Sequence, residues 1–401
     1  MSTTLMPVRA SDRFESIDML RGIAVLGILM VNIQVFAMYW GALEYPPAHM
    51  DMSGANGRVW WITQVFFELK FITLFSALFG AGIVLMVGED AQAPTALHRR
   101  RMLWLLAIGL VHGFVFWFGD ILVPYALAGF VVVLARRWSP ARLVVWGLAA
   151  IAFSGLLMVG AVWAEGSMPG AGEPAKLAAH PTQEWLERWV GAYQSGFLQS
   201  RAYNAAGEGF ALIGQITLFA GRLLGVMWIG MALYKTGFLT AQWRASVYAL
   251  IAVIAVGAGV SAEWVTANAN LASGFAPEFQ WVATAVNYGA SLATAFGYAS
   301  IVMLLAKPAL LRWVRLPFAS AGRMAFTNYL TQTLVMTFLF VGPPGLGWFG
   351  TVERSGQAAI VLAVWVAQLA ISTVWLKVFR FGPAEWAWRS LSYREAQPFL
   401  R

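Results

Sequence analysis

Ten apolar runs fill most of the sequence, and the longer ones can cross about 30 Å of hydrocarbon, the core of a bilayer. They cover approximately residues 19–40, 59–87, 102–118, 121–135, 143–163, 208–234, 245–267, 281–305, 323–341 and 355–379. Only 11% of the 401 residues are charged, whereas an average soluble chain has roughly 25%. A chain in lipid must satisfy its backbone hydrogen bonds internally, which helices do. The sequence therefore predicts an all-α, polytopic integral membrane bundle of about ten transmembrane helices.

The distribution of Lys and Arg predicts how this bundle is oriented, because positive charge is retained in cytoplasmic loops during insertion. With the N-terminus inside, the inner segments hold 20 of the 27 cations and the outer segments hold five. Both termini are therefore expected in the cytoplasm, with residues 380–401 as a cytoplasmic tail. The expected location is the inner (plasma) membrane of the cell, and the lipid bilayer is the first expected partner.

The same distribution accounts for the net charge of +8, which marks topology here and does not indicate a nucleic-acid surface. The absence of Cys excludes thiolate chemistry, and four His argue against a His-rich metal site. The sequence also lacks a G-x-S-x-G hydrolase motif and a P-loop. No repeat is visible, so residues 1–401 are expected to form a single membrane domain. Assembly into a homo-oligomer stays open.

The outer segment 164–206 is the one sizeable piece expected outside the membrane. Its first part, EGSMPGAGEPAK, is typical of a flexible loop. Its second part, TQEWLERWVGAYQSGFL, repeats aromatic residues every fourth position, which predicts a helix with one aromatic face. We favour a helix lying in the outer interface, where Trp and Tyr are enriched. The alternative is a lid over an outward cavity.

Five polar side chains lie in the middle third of four different runs, where such groups are costly and often functional. They are Asn32, Glu68, Lys70, His112 and Arg222. Their shared depth predicts one polar cavity near the middle of the membrane. The structural alternative is that the charged members form ion pairs that hold the helices together, and Arg222 and His112 are the candidate partners for Glu68 and Lys70.

His112 is the candidate base, because a neutral imidazole takes a proton from a hydroxyl or amine near neutral pH. Asp120 lies roughly 12 Å further along a helix, so its contact with His112 requires the helix to end early. His49, in an outer loop, is an alternative base. His98 and His180 lie in charged or polar loops and receive no role. The structural alternative for His112 is a buried imidazole bonded to a carbonyl.

Several stretches resemble one family of membrane proteins, and they follow one another in the expected order along nearly the whole chain. They are RFESIDMLRGIAVLGILMVN, FITLFSALFGAGI, RRRMLWLLAIGLVHGFVFWFGDILVPYALAG, GRMAFTNYLTQT and FGPAEWAWRSLSY. These stretches resemble the domain-of-unknown-function 418 family, also called the YeiB family. The resemblance implies the fold of that family but no activity, because the family is largely uncharacterised.

The N-terminal part also resembles two groups of membrane acyltransferases that take an acyl group from cytoplasmic acyl-CoA and deliver it across the membrane. The heparan-glucosaminide N-acetyltransferase type has an acid-x-x-Arg-Gly opening and an Asn fourteen residues after the acid, as Asp18 and Asn32 stand here. The acyltransferase-three type has a His in place of Asn32. In the glucosaminide enzyme a His follows the Asn. His49 is the nearest counterpart, at a longer spacing, so the choice between His49 and His112 stays open.

These features lead to the hypothesis of transmembrane acyl transfer from acyl-CoA, with acetyl-CoA as the expected co-substrate. The acceptor is a hydroxyl or amine of a small molecule or glycan reached from outside. His112 or His49 acts as the base, Asn32 polarises the carbonyl, and Asp120 orients the base or receives the acceptor. The residues expected to hold acyl-CoA are Asp18, Arg21, Lys70, Arg222, Arg99 and Arg100.

Two alternatives belong to other classes of protein. A transporter or channel for a small polar or anionic solute would use Lys70, Arg222 and His112 as midplane ligands. The glycine-rich FGAGI and GPPGLG stretches would then mark broken helices. A scaffold would use the same polar residues only to join helices.

Overall fold

The computed structural model describes residues 14–90, 95–167, 180–307 and 311–401. These ranges confirm the all-α class, since they contain helices joined by turns and no β-sheet. The helices are α1 (Glu15–Ala37), α2 (Gly54–Phe66), α3 (Lys70–Val87), α4 (Ala96–Val111), α5 (Leu122–Val132), α6 (Pro140–Ser167), α7 (Gln183–Ser195), α8 (Arg201–Gly214), α9 (Ala220–Lys235), α10 (Ala245–Ala272), α11 (Pro277–Ala306), α12 (Arg312–Arg323), α13 (Ala325–Phe340), α14 (Arg354–Val378) and α15 (Pro383–Tyr393).

Seven helical segments in the described residues are long and apolar enough to cross a membrane. They are Glu15–Ala37, Gly54–Val87, Pro140–Ser167, Arg201–Lys235, Ala245–Ala272, Pro277–Ala306 and Arg354–Val378. The other three predicted spans correspond to the shorter helices α4, α5 and α13. The membrane class is thus supported, whereas the count of ten and the cytoplasmic position of both ends remain predictions.

Helix α1 lies at the centre of the bundle, and a close approach of two glycines fixes its contact with α12. A Cβ on Gly22 would lie 2.0 Å from the carbonyl oxygen of Phe318, and a Cβ on Gly322 would lie 1.7 Å from the carbonyl oxygen of Asp18. Only glycine allows two helix backbones to come so close. This packing explains Gly22 in the LRG stretch and Gly322 in the AGRMAF stretch.

Gly80 of FGAGI serves the same purpose in α3, which runs through both glycines of this stretch without a break. A Cβ on Gly80 would lie 2.0 Å from the carbonyl oxygen of Met227 on α9. The expectation that these glycines break a helix is therefore wrong. The break in this span lies earlier, between α2 and α3, where Leu69 has a φ of 60°. That left-handed conformation turns the chain just before Lys70.

The predicted aromatic helix of the outer segment is α7. Its aromatic face packs on the protein, because Trp189 meets Tyr39 edge-on at 5.4 Å and Tyr193 stacks on Phe349 at 4.4 Å. Both Trp189 and Tyr193 are buried. This face is therefore packed against the rest of the chain, and the position of α7 in the outer interface stays a prediction. Most of the predicted flexible loop lies outside the described residues.

Candidate functional site

The chain leaves helical geometry at His112, and this brings His112 and Asp120 together. After α4 the residues His112–Phe116 form a π-helical turn, and Asp120 follows a short reversal. The side chain of Asn204 on α8 makes hydrogen bonds with the backbone of this reversal. Its NH₂ group donates to the carbonyl of Gly113, and its amide oxygen accepts from the backbone N–H of Phe118. The helix therefore ends early, as contact between the two residues requires.

His112 lies between Asp120 and Thr333 in a buried line of hydrogen bonds. Its Nδ1 is 2.8 Å from Oδ1 of Asp120, and its Nε2 is 2.9 Å from the hydroxyl oxygen of Thr333 on α13. The second carboxyl oxygen of Asp120 accepts from the backbone N–H of Val123. A carboxylate can only accept a hydrogen bond, so the Nδ1–H group of His112 donates to Asp120. Nε2 then carries the lone pair and accepts a hydrogen bond from the Thr333 hydroxyl. The three side chains are at most 4% exposed.

A second carboxyl group, that of Glu208 on α8, lies beside this line of hydrogen bonds. A Cβ on Gly113 would lie 2.4 Å from Oε1 of Glu208, so the glycine makes room for it. Glu208 is fully buried, and neither of its carboxyl oxygens makes a hydrogen bond of normal geometry with the described residues. The sequence placed Glu208 at the start of a span and gave it no role.

A cavity of about 310 Å³ begins at one end of the bundle and reaches two residues that adjoin the His112–Asp120 pair, which itself does not line the cavity. At its deep end lie Ile121 and Tyr329. Ile121 follows Asp120 directly, and the Tyr329 ring lies 5.2 Å from the His112 ring, measured between centroids. The walls between the entrance and this end are largely apolar and include Phe75, Phe79, Leu78, Ile83, Met86 and Leu105.

The entrance of the cavity is strongly basic, and we call it the basic end of the bundle. Its lining includes five arginines, Arg21, Arg101, Arg323, Arg380 and Arg389, against the two acids Asp18 and Glu385. All five belong to segments that the sequence places on the cytoplasmic side. The structure therefore gathers cations from α1, α4, α12 and the C-terminal region around one opening.

Only part of the predicted acyl-CoA site belongs to this opening. Asp18 and Arg21 line it and form an ion pair at 2.9 Å on the first turns of α1. Arg99 is exposed, and Arg100 donates to the carbonyl of Ser392. Neither is in the lining, because the cavity faces the side of α4 that carries Arg101.

Helix α15 closes one side of the basic end. The guanidinium of Arg101 lies 4.0 Å over the Trp388 ring, and the Trp388 indole donates to the carbonyl of Arg101. Glu385 accepts hydrogen bonds from the backbone N–H groups of Phe326 and Thr327, which are the free donors at the start of α13. Burial raises the pKa of the Glu385 carboxyl, and these hydrogen bonds oppose the rise.

The predicted midplane residues do not meet in one chamber. Lys70 pairs with Glu263 of α10 at 2.8 Å, a partner that the sequence did not indicate, and also donates to the carbonyl of Gln64. Arg222 donates to the carbonyl of Tyr288 and to the hydroxyls of Thr73 and Ser291. Lys70 and Arg222 are both buried and neither lines the cavity. The Lys70–Glu263 pair fits the ion-pair alternative, although neither partner named from the sequence takes part in it. Arg222 forms no ion pair with the described residues, and its charge and that of Glu68 act on Lys70 only at longer range.

Asn32 and His49 lie apart from the His112 hydrogen bonds. Asn32 is partly exposed, and its side chain makes no hydrogen bond with the described residues. His49 accepts from the backbone N–H of Tyr39 through Nδ1, and Arg354 donates to its carbonyl. Burial, together with the Arg354 charge, lowers the pKa of His49 to about 4. So weak a base suits proton abstraction at neutral pH less well than an ordinary imidazole does.

His98 is not the solvated loop residue that the sequence suggested. It is 1% exposed, lines the cavity, and its Nε2 lies 2.9 Å from the carbonyl of Gly129. The arginines around it in the sequence concealed this burial, because the charged side chains of Arg99 and Arg100 lie on other faces of α4.

Comparison with known proteins assigns the family. The family model described as "Protein of unknown function (DUF418)" matches residues 233–395. The "Uncharacterized protein YxaH" of Bacillus subtilis (strain 168) is 32% identical, and the alignment covers 100% of this chain and 99% of that protein. The chain belongs to the DUF418 family. The "Uncharacterized protein YeiB" of Escherichia coli (strain K12) is 30% identical over 97% of this DUF418 chain and 98% of its own length.

A third DUF418 relative is more distant. The "Uncharacterized 39.9 kDa protein in amylase 3'region" of Bacillus acidopullulyticus is 26% identical, over 98% of both chains. The family resemblance read from the sequence is thereby confirmed. None of these names states an activity, so the site geometry has to carry any functional proposal.

Proposed function

We propose that this DUF418 protein transfers an acyl group from acyl-CoA to a hydroxyl or amine acceptor, with His112 as the base. The observation that carries the proposal is the cavity that runs from five arginines at the basic end to Tyr329 and Ile121. Those two residues contact or adjoin the His112–Asp120 pair. An anionic carrier held at the entrance would thus present its apolar arm toward a base.

The charge and shape of the cavity favour a CoA thioester over a small free anion. Its lining holds three more cations than acids, counting five arginines against Asp18 and Glu385. Arginine is suited to phosphates, which it binds through paired N–H groups. The apolar walls beyond the entrance suit a thioester arm and an acyl group. A small anion would satisfy the arginines and leave these walls unused.

His112 is placed to move the proton of the reaction. Asp120 accepts a hydrogen bond from Nδ1–H and fixes the tautomer, so Nε2 carries the lone pair. Nε2 takes the hydroxyl or amine proton of the acceptor when the acceptor replaces Thr333 as its hydrogen-bond partner. As the thioester breaks, the same nitrogen returns this proton to the CoA sulfur. The pair is buried, which strengthens its electrostatic interactions and limits hydrolysis by water.

The position of His112 along α4 supports delivery across the membrane. It follows Ala96 by sixteen residues, or about 24 Å of helix, so it lies far from the basic end. The acyl group would therefore leave CoA deep in the bundle, at the depth near the middle of the membrane where the sequence places His112. This supports an acceptor reached from the side that the sequence predicts to be outer.

Binding and turnover of acetyl-CoA by the purified chain test this proposal. CoA is expected to raise the melting temperature. Arg101→Gln is expected to weaken CoA binding by about 10- to 150-fold, because a hydrogen bond to a charged group contributes about 1.5–3 kcal/mol. Arg99→Gln is the matched control, since Arg99 is exposed on the same helix and outside the lining.

The catalytic part of the proposal needs a separate readout. Release of CoA from labelled acetyl-CoA is expected to be lost in His112→Gln, while CoA binding is retained. His49→Gln is expected to leave turnover unchanged. If the Arg99 and Arg101 variants lose CoA affinity equally, CoA binds outside the cavity. A wild-type chain that neither binds CoA nor consumes acetyl-CoA would refute the function itself.

Transport of a small polar solute is the second candidate, and the break between α2 and α3 favours it. Broken helices line the binding sites of many transporters, and Lys70 follows this break directly. Lys70 nevertheless donates to Glu263 and to the carbonyl of Gln64. Counterflow of a labelled solute in liposomes, without acetyl-CoA turnover, would select this alternative.

A further inference from the structure

The hydroxyl of Thr333 is used differently from many other hydroxyls within the helices. A Ser or Thr inside a helix commonly donates to the carbonyl four residues earlier. Many in this chain do so: Thr73, Ser76, Thr217, Thr266, Thr294, Ser300 and Thr373. Thr333 makes its hydrogen bond with Nε2 of His112. Its oxygen is thereby directed at the basic nitrogen of the candidate site.

Hydrogen bonds join Thr333, His112 and Asp120 in a line, and this is the arrangement that activates a hydroxyl nucleophile. A hydroxyl lies 2.9 Å from one ring nitrogen, and a carboxylate lies 2.8 Å from the other. Such a line activates a hydroxyl when the base is held in one tautomer by a third group. Here the third group is itself fixed, because Asp120 also accepts from the backbone N–H of Val123.

Helix α13 places Thr333 one turn beyond the residue at the inner end of the cavity. Tyr329, which lines the cavity, precedes Thr333 by four residues, which is about one helical turn. The hydroxyl of Thr337, one turn further on, is buried and has no partner among the described residues. Hydroxyl groups therefore follow one face of α13 from the cavity past His112.

We propose that Thr333 is the nucleophile that carries the acyl group between the two substrates. This inference rests on the proposed function and adds a covalent step to it. His112 Nε2 takes the Thr333 hydroxyl proton while the oxygen attacks the thioester carbonyl. The C–S bond breaks, the sulfur takes the proton from His112, and CoA leaves as the thiol. The product of this half-reaction is an O-acyl threonine ester.

The second half-reaction uses the same groups in reverse. His112 takes the proton of the acceptor hydroxyl or amine as that group attacks the ester carbonyl. The Thr333 oxygen leaves and recovers the proton from His112. Since CoA and acceptor react in turn, one buried base serves substrates that arrive from opposite ends, and the two need not be bound together.

Trapping the ester tests this proposal directly. The purified full chain is incubated with acetyl-CoA labelled in the acetyl group, quenched in acid, and digested for mass spectrometry. Label is expected on the peptide containing Thr333, and it is expected to disappear in Thr333→Val, which keeps the shape of the side chain. Thr333→Ser is expected to restore it. Thr373→Val is the matched control, because Thr373 donates to the carbonyl of Leu369 inside a neighbouring helix.

Isotope exchange gives an independent readout that needs no acceptor. The wild-type chain is expected to exchange label between free CoA and acetyl-CoA, because the acyl-enzyme step is reversible without acceptor. Thr333→Val is expected to lower this exchange by about 10³-fold or more. CoA-induced thermal stabilisation of the Thr333→Val chain shows that it is folded and binds CoA.

The outcomes separate this step from the proposed function. If Thr333→Val transfers acetyl groups at the wild-type rate while His112→Gln does not, the acyl group passes directly to the acceptor and our inference is wrong. The proposed function would survive that result. If the wild-type chain neither binds CoA nor consumes acetyl-CoA, both proposals are refuted.

Discussion

Replacement of Lys70 tests whether the buried cations of this bundle are structural. Lys70 is fully buried, and its ammonium group donates to Glu263 at 2.8 Å and to the carbonyl of Gln64 at 2.7 Å. Gln64 lies just before the helix break at Leu69, where helical carbonyls lose their usual partners. Lys70 therefore neutralises Glu263 and also donates a hydrogen bond to a carbonyl that the helix break leaves without its usual partner.

The expected cost of Lys70→Met follows from these two contacts. Loss of one partner of a buried ion pair costs about 3–5 kcal/mol, because the other charge is left uncompensated. Loss of the donor to the Gln64 carbonyl adds about 1 kcal/mol. Glu263→Met is expected to cost a similar amount. The double variant is expected to return to within about 2 kcal/mol of the wild type, since removing both charges also removes their desolvation penalty.

Unfolding free energies of the four proteins, from SDS titration in mixed micelles, provide this cycle. Single variants that each cost less than about 1 kcal/mol, with effects that simply add, would refute the reasoning. CoA affinity supplies a second criterion. Lys70→Met is expected to leave it unchanged, because Lys70 does not line the cavity. A tenfold loss of CoA affinity in a folded Lys70→Met chain would assign Lys70 to the ligand.

Three further substitutions follow from the structure. Gly322→Ala is expected to lower the yield of folded protein sharply, because its Cβ would lie 1.7 Å from the Asp18 carbonyl oxygen, whereas Gly82→Ala, with no atom near its Cβ, should not. Fluorescence-detected size exclusion measures both. Asp120→Asn is expected to reduce acetyl transfer by up to about 10⁴-fold with CoA binding retained, because the amide no longer fixes the His112 tautomer. Paired turnover and thermal-shift assays test this. The pKa of His49 is lowered to about 4, so the unfolded chain binds a proton first as pH falls. Stability should therefore decline from about pH 6.5 towards pH 4, by up to about 3 kcal/mol. His49→Gln should flatten this decline in melting curves, and an unchanged pH profile would contradict the assignment.

The sequence predicted the helices and named His112 and Asp120 as candidate partners. It did not predict how side chains at a similar depth are grouped. Apolar runs locate a helix because its length and hydropathy are local properties. Depth along a run, however, does not give the direction in which a side chain points. Lys70 and His112 were placed at one depth, yet they belong to different hydrogen-bonded groups. The contacts between helices decide this grouping, and they depend on glycines such as Gly80 and Gly322.

For a related reason, little in the sequence indicates that two acids of the bundle are buried. Glu263 and Glu208 lie near the ends of apolar runs, where a charged residue normally faces water. In the structure both are buried, because α10 and α8 continue beyond the predicted boundaries. A carboxyl group near the end of a long apolar run is therefore as much a candidate for burial as one at its middle. Thr333 had no signal at all, since helical Thr is ordinary and only its hydrogen-bond partner distinguishes it.

Burial of the His112 line also bears on the order of events in the proposed acyl transfer. Trp117 stacks on Phe36 at 4.1 Å, and both rings belong to a buried cluster that also contains Trp189 and Tyr193 of α7. A thioester that reached His112 with this stack in place would meet Thr333 and little water. An acceptor that enters from the α7 side would have to pass this cluster. A site closed on the acceptor side while CoA reacts favours a stored ester, because it lets the two substrates enter at different times without opening a path between the two faces.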